Sequence, residues 1–147
     1  MAKFKYKMAN VLDIKMKMED QAKSAFSIAM ANLRAEEEKL DALIARKEEY
    51  EEKDRILRTS TLDISEIKSN AAAILNLKSQ VEDQKANVRA AEDDVERARF
   101  RLDGAVKDRK IHEKLKENAF EEFKADIGRA ESKEVDELVS YRYGSRE

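Results

Sequence analysis

Large aliphatic residues recur at a constant seven-residue interval in the second half of the chain. They are Ile67, Ile74, Val81, Val88, Val95 and Leu102. A second set lies four residues before the later members, at Leu77, Gln84, Ala91 and Ala98. Apolar first and fourth positions sustained over several heptads form the seam of a coiled coil, along which one helix buries a stripe against another. The interval therefore predicts a long helix that needs a helical partner.

The first half of the chain carries a looser stripe, with apolar residues mostly three, four or seven apart, which also predicts a helix. Its members are Phe4, Met8, Leu12, Met18, Ala22, Phe26, Ala29, Leu33, Leu40, Leu43, Tyr50 and Leu57. Charged residues make up 42% of the 147 residues and aromatic residues 6%, and proline is absent. This composition is typical of a coiled coil, and the periodic apolar residues tell against disorder.

The helical pattern is interrupted once, at the stretch RTSTLDIS that spans residues 58–65. Thr59, Ser60 and Thr61 favour side-chain hydrogen bonds to the local backbone over continued helix. Asp63 followed by Glu66 is typical of a capping box that starts a second helix. Two long helices joined by a short connection fold back antiparallel. We therefore predict a single all-α domain over residues 1–147, an antiparallel intramolecular coiled-coil hairpin with helix 3–58, turn 59–64 and helix 65–143.

The register of this hairpin follows if the turn is centred on Leu62, because residue i then faces residue 124 − i. This rule places a large residue opposite a small one at four levels, as close packing of two helices requires. The predicted pairs are Leu33 with Ala91, Phe26 with Ala98, Val95 with Ala29, and Leu102 with Ala22. The same rule pairs Phe4 with Phe120, so residues beyond Lys124 extend past the paired part.

Positive charge is concentrated in two stretches, although the formal net charge of the chain is only −2. Residues 1–23 hold six lysines against three acidic residues, and residues 97–116 hold eight Lys or Arg against three. In the predicted hairpin both stretches lie at the same end and form a basic collar. Two interpretations stay open: the collar is an ordinary solvated surface, or it docks an acidic partner, which could include nucleic acid.

The sequence offers no constellation suited to catalysis, so we expect a protein that is not an enzyme and needs no cofactor, metal or small-molecule ligand. His112 is the only histidine, cysteine is absent, and the three glycines stand far apart. We interpret His112 as a seam or surface residue. The longest apolar run, residues 71–75, is far too short to span a membrane. The N-terminal stretch lacks the apolar core of a secretory signal, and we expect a soluble cytoplasmic protein.

Both ends of the sequence resemble the flagellar FliJ family. The resemblance is carried by FKYKMANVLDIKMKMEDQAKSAFSIAMANL near the start and by EKLKENAFEEFKADIGRAESKEVDELVSYRYG near the end. The shared positions are Phe4, Leu12, Asp13, Glu19, Gln21, Ala22, Lys114, Leu115, Lys116, Phe120, Tyr143 and Gly144. The similarity covers nearly the whole chain, including its length and the position of the break.

The resemblance implies a cytoplasmic stalk of the flagellar type III export apparatus, associated peripherally with the inner face of the membrane. Its implied partners are the hexameric export ATPase, the cytoplasmic domain of the export gate protein, and export chaperones. The end that carries both termini is expected to enter the ATPase pore. Expected contacts there are Phe4, Lys5, Leu12, Lys15, Arg101, Arg109, Leu115 and Phe120.

The family's gate-binding patch corresponds here to Leu43, Tyr50 and Leu77, while Arg46, Ala73 and Gln84 depart from its pattern. Three other functions compete with the flagellar one. A non-flagellar type III secretion stalk shares the same features. A structural scaffold would favour an uninterrupted seam and an intermolecular dimer. A nucleic-acid-binding rod would need stacking aromatics and a binding fold that the sequence lacks.

Overall fold

The computed structural model describes residues 2–60 and 63–144, and these form two long helices. Helix α1 spans Ala9–Thr59 and helix α2 spans Ile64–Gly144. Within residues 22–102, Glu36 of α1 is hydrogen-bonded to Gln84 of α2, whereas Tyr50 is hydrogen-bonded to Asn70. Partners in α2 thus fall in number as those in α1 rise, so the helices are antiparallel. The predicted all-α hairpin is confirmed.

The chain divides into two compact units, each of which contains part of both helices. We call residues 1–21 and 103–147 the terminal unit, and residues 22–102 the turn unit. The single domain predicted over residues 1–147 stays a prediction.

The break between the helices is built from side-chain caps. The Asp63 carboxylate accepts hydrogen bonds from the backbone N–H groups of Ser65 at 3.0 Å and Glu66 at 3.3 Å. Asp63 is therefore the N-cap of α2, because its oxygen satisfies N–H groups that the first helical turn leaves without partners. The Glu66 carboxylate lies 4.0 Å from Lys53 Nζ rather than closing the capping box. Thr61 and Leu62, within the predicted turn 59–64, lie outside the described residues.

The first helix begins at Ala9, six residues after the predicted start at residue 3. Residues 2–6 have no helical structure, and the backbone N–H of Ala9 donates to the Tyr6 carbonyl at 3.2 Å. In this segment Phe4 and Tyr6 are half-buried while the lysines at positions 3, 5 and 7 are exposed. That alternation has the period of extended backbone rather than of a helix. The other helix ends fall within one residue of the predicted bounds.

The core of the turn unit follows the predicted seam. Its buried α2 residues are spaced alternately by four and three or by seven, at Asn70, Leu77, Val81, Gln84, Val88, Ala91, Val95 and Ala98. Ala29, Val95 and Ala98 form a buried cluster against which Phe26, Met30 and Leu33 pack. This cluster contains two of the four predicted large–small pairs, Ala29 with Val95 and Phe26 with Ala98. Each buried leucine or valine side chain contributes about 1.5–3 kcal/mol to folding.

The seam also buries two polar residues, Glu19 and Asn70, that the apolar spacing did not predict. Met18 was assigned to the seam, but it is exposed and Glu19 is buried in its place. Glu19 continues the heptad spacing that runs from Leu12 to Phe26, and its carboxylate accepts a hydrogen bond from Arg109. A buried carboxylate is tolerated where a cation and hydrogen bonds satisfy it.

Among the described residues, no helix is both long and apolar enough to cross a membrane.

Candidate functional site

Tyr50 lies at the α1 seam in the turn unit and is held there through its backbone. Its carbonyl accepts a hydrogen bond of 2.9 Å from the Asn70 side-chain amide, and Asn70 is buried. The Tyr50 ring is half-buried, and the Arg46 guanidinium carbon lies 6.0 Å from the ring centroid. A guanidinium over an aromatic face is attracted by the ring quadrupole. Asn70 thus fixes the backbone while the ring stays accessible.

A small cleft of about 110 Å³ opens beside this ring. Its lining residues are Arg46, Tyr50, Ala73, Asn76, Leu77 and Gln80. Leu77 is only 5% exposed, so its side chain forms the floor and offers little surface to a partner. Leu43 is half-buried two turns before Tyr50. Of the three predicted gate-contact residues, Tyr50 therefore presents the largest accessible group beside the cleft.

Asn76 and Gln80 were missed as lining residues of this cleft. They lie three and seven residues after Ala73, so all three share one face of α2. The small side chain of Ala73 leaves room for the cleft. Helical spacing measured from Ala73 was the signal that could have found both residues.

A polar layer joins the helices elsewhere in the turn unit. The Gln84 side-chain amide donates to the Glu36 backbone carbonyl at 2.9 Å and also to the Glu36 carboxylate. Asn87 donates to the Gln84 side-chain oxygen at 3.1 Å. Donation by Gln84 lowers the pKa of Glu36, and nearby Lys39 lowers it further, because both favour the charged carboxylate. A polar pair in an apolar seam favours one register over others, since a slip would leave it unsatisfied.

The terminal unit carries a second polar layer, built from residues of the predicted collar. Arg109 binds the Glu19 carboxylate through Nε and donates from Nη1 to Glu113 at 2.8 Å. These two carboxylates, Glu19 first, raise the pKa of Arg109. Lys15 Nζ lies 3.5 Å from the Asp108 carboxylate. Lys15 and Arg109 therefore pair within the chain, which reduces their availability to an acidic partner.

Aromatic residues hold the non-helical N-terminal segment onto α2 in the terminal unit. The Phe4 ring lies 5.1 Å from Phe120 in an edge-to-face arrangement and 5.4 Å from Phe123. Lys124 Nζ lies 4.9 Å from the Phe120 ring centroid. Edge-to-face pairs of this kind add about 0.5–1.5 kcal/mol beyond their buried area.

An open apolar cleft of about 500 Å³ adjoins these rings. It is lined by Phe4, Leu12, Met16, Glu113, Lys116, Glu117 and Phe120. Three of the residues predicted to contact the ATPase, Phe4, Leu12 and Phe120, therefore come together. Leu12 is buried in the floor, whereas Phe120 and Leu115 are exposed. Met16 was missed because it lies off the seam, one position after Lys15.

The two remaining residues predicted to contact the ATPase, Lys5 and Arg101, are both exposed. Lys5 belongs to the terminal unit and Arg101 to the turn unit. His112, the only histidine, is half-buried at the seam spacing, three residues after Arg109. Within the described residues no cluster of His, Cys, Asp or Glu could hold a metal ion.

Comparison with known proteins gives one family and one solved structure. The family model described as Flagellar FliJ protein matches residues 4–147. CT670 from Chlamydia trachomatis, described as a YscO homologue, is similar in structure, with a TM-score of 0.81 and 28% sequence identity. That similarity covers 96% of this chain and 96% of CT670. Comparison with curated protein sequences gave no match.

Proposed function

The chain belongs to the flagellar FliJ protein family, and we propose on that basis that it is a stalk component of the flagellar type III protein export apparatus. In this role it binds the hexameric export ATPase and promotes its activity. It also contacts the cytoplasmic domain of the export gate protein and escorts export chaperones. The observation that carries the proposal is the family match over residues 4–147.

The proposed ATPase contact is the accessible surface of the terminal unit, and Arg101 of the turn unit is proposed as a separate contact. Phe4, Lys5, Leu115 and Phe120 supply exposed or half-buried side chains for that surface. A different role is proposed for Leu12, Lys15 and Arg109. Leu12 is buried, and Lys15 and Arg109 form ion pairs within the chain. They hold the two helices together so that the contact residues keep their places.

The proposed gate contact is centred on Tyr50 and its cleft. Arg46 adds a positive charge beside the ring, and an aromatic flanked by arginine is the composition enriched at interface hot spots. Leu77 forms the floor of the cleft, and Leu43 belongs to the half-buried seam two turns before Tyr50. These contacts would place the protein in the cytoplasm, at the inner face of the membrane that holds the export apparatus.

Stimulation of the purified export ATPase tests the proposal. The wild-type chain should bind the hexamer and raise its rate of ATP hydrolysis. Reversing two exposed collar charges, in Lys5→Glu with Arg101→Glu, should weaken binding, and raised salt should weaken wild-type binding because exposed charges are screened over about 8 Å. Lys68→Glu with Lys78→Glu is the matched control, since both lysines are exposed on α2 outside the collar. A wild-type chain that neither binds nor stimulates the ATPase would overturn the proposal.

A stalk of a non-flagellar type III secretion system is the second candidate, favoured by the structural similarity to the YscO homologue CT670. Deletion of the gene in the source organism separates the two. Loss of flagellar filaments with unchanged secretion of other proteins supports the flagellar role. Intact filaments with lost secretion support the alternative.

A further inference from the structure

The two compact units differ in what joins their helices. Within the described residues, the turn unit buries seven apolar residues along its seam, namely Ala29, Leu77, Val81, Val88, Ala91, Val95 and Ala98. The described part of the terminal unit buries one, Leu12. Burial of apolar surface is the largest favourable contribution to folding. The helices of the terminal unit are therefore held together by less apolar burial than those of the turn unit.

A charged pair lies in the seam of the terminal unit, where the heptad spacing from Leu12 would place another apolar residue. Glu19 is 6% exposed, and its carboxylate accepts a hydrogen bond from Arg109 Nε. Arg109 Nη1 also donates to Glu113 at 2.8 Å. Removing two charges from water costs free energy that their mutual attraction seldom exceeds, and an apolar pair of similar volume is often more stable. The pair therefore selects the partner of Glu19 while adding little to the stability of the unit.

The buried amides of the turn unit are neutral and have aliphatic neighbours. Gln84 lies between Val81 and Val88, and its side chain donates to a backbone carbonyl of α1 at 2.9 Å. Separation of the helices in this unit would expose the two valines to water. Separation of the helices in the terminal unit would instead return Glu19 and Arg109 to water, where charged groups are well solvated. Separation therefore costs less free energy in the terminal unit.

Other contacts in the terminal unit lie near its surface. Lys15 Nζ is 3.5 Å from the carboxylate of Asp108, whose side chain is 53% exposed, and exposed ion pairs contribute little to stability. The Phe4 ring packs on Phe120, which is 40% exposed. Both contacts are open to solvent, so neither encloses a core that would keep the helices together.

We propose that the terminal unit is a local conformational switch: α1 and α2 separate reversibly within it while the turn unit stays paired, and the Glu19–Arg109 pair sets how often they separate. Local openings of this kind need less free energy than unfolding of the whole chain, and they occur where few apolar contacts are buried. Residues 9–21 of α1 and 103–123 of α2 then become single helices. The inference concerns motion within the chain and does not rest on the proposed function.

Native-state hydrogen exchange measured by mass spectrometry tests this opening on the free full-length chain. A helix gains most of its stability from packing, so amides of residues 9–21 and 103–123 lose protection whenever the unit opens. These amides should exchange about tenfold faster than those of residues 77–98, which report the turn unit. Equal protection of the two sets of amides would overturn the proposal.

Substitutions at the charged pair test its part in the switch. The apolar variant combines Glu19→Leu with Arg109→Leu, and it should slow exchange in the terminal unit about tenfold, because an apolar pair strengthens a seam that an ion pair does not. Exchange over residues 77–98 should stay as in the wild-type chain. Glu19→Gln should have the opposite effect and speed exchange in the terminal unit, because Arg109 then lacks its buried carboxylate partner.

The matched control replaces an exposed ion pair of the turn unit. Glu82→Leu with Lys85→Leu removes a contact of 3.3 Å between exposed side chains of α2, and it should leave exchange in both units unchanged. Circular dichroism verifies that each variant is helical.

Three outcomes would refute the switch. The first is wild-type or faster exchange in the terminal unit of a folded apolar variant, which would mean that the pair does not set the opening. The second is equal slowing of exchange in both units, which would mean that the chain opens as one. If the apolar variant does not fold, Glu19→Gln still decides, since exchange at the wild-type rate in that variant is the third.

Discussion

At the residue scale, buried amide side chains favour a single register of the two helices, which a purely apolar seam does less well. Gln84 and Asn70 are both buried, and each donates to a backbone carbonyl of α1. A slip of one helix along the other would leave these amides without partners in a dry seam, at about 1–3 kcal/mol for each unsatisfied group. They therefore favour a single register, whereas alanine and valine would pack nearly as well one heptad away.

The link between Gln84 and Glu36 has a measurable consequence for pH. Gln84 lowers the pKa of Glu36 below its ordinary value of 4.5. A carboxyl whose pKa is lowered by folding stabilises the folded state above that ordinary value, and the contribution is lost as the pH falls through the lowered pKa. Gln84→Leu should bring the pKa of Glu36 back toward 4.5, because the main donor to the carboxylate is removed.

Carbon-detected NMR titration of the glutamate carboxyls measures this change. Glu52 is the internal control, since Arg55 rather than Gln84 lowers its pKa. The explanation fails if the pKa of Glu36 is the same in Gln84→Leu as in the wild-type chain.

Variants of Tyr50 test the proposed gate contact. Tyr50→Ala should cost about 2 kcal/mol or more in affinity for the gate protein if its ring anchors that contact. Tyr50→Phe should retain most of the affinity, because the ring beside Arg46 is kept and Asn70 binds the backbone carbonyl rather than the hydroxyl. Calorimetric titration with the gate's cytoplasmic domain measures both variants. A lower melting temperature with unchanged gate binding would make Tyr50 an ordinary seam residue.

At the element scale, the side chain of Asp63 is the N-cap of α2. Asp63 accepts hydrogen bonds from the backbone N–H groups of Ser65 and Glu66. The same break allows the chain to reverse, so helix capping and hairpin formation depend on the same few residues. The helices themselves gain most of their stability from packing along the seam rather than from local propensity.

Asp63→Ala should lower the free energy of unfolding by about 1 kcal/mol, the usual cost of removing an N-cap. Urea unfolding followed by circular dichroism measures the loss. Asp63→Asn should retain most of the stability, because the amide oxygen also caps. Asp83→Ala is the control, at an exposed position inside α2, and should change stability little. An equal loss in Asp63→Ala and Asp83→Ala would contradict the assignment of the cap.

At the scale of the whole molecule, the two units are stabilised differently. The turn unit buries a run of apolar seam residues, among them Val81, Val88 and Val95. In the described part of the terminal unit the one buried apolar residue is Leu12, and the helices are joined there by the Glu19–Arg109 layer and by Phe4 against Phe120. The unit that carries the proposed ATPase contacts thus depends on polar layers and on aromatic residues at its edge.

The antiparallel hairpin predicts which cysteines can be joined within one chain. The natural sequence has no cysteine, so introduced pairs are unambiguous. Ala29→Cys with Val95→Cys should cross-link within a single chain, because both residues belong to one packed cluster. Ala29→Cys with Val81→Cys should not, since Val81 lies roughly 21 Å farther along α2. Gel mobility under non-reducing conditions reads the result, and cross-links formed only between chains would refute the hairpin.

The sequence by itself determined the two helices, their antiparallel pairing and most of the seam. It could do so because heptad spacing and cap residues act locally, and each needs only a few neighbouring positions to be recognised. The large–small pairs Phe26 with Ala98 and Ala29 with Val95 also follow from sequence, since volumes must match across a narrow seam.

The tertiary structure alone decided that Glu19 and Asn70 enter the seam, whereas Gln84 occupies a seam position that the sequence predicts. It also decided which collar charges stay available. Glu19 is buried instead of Met18 because Arg109, ninety positions later, satisfies its carboxylate. That pairing also occupies Arg109, which charge counting had assigned to the collar. Residues 2–6 are not helical, and Phe4 among them packs on Phe120 and Phe123. Each outcome depends on a contact between residues far apart in sequence, and such contacts exist only after the hairpin has closed.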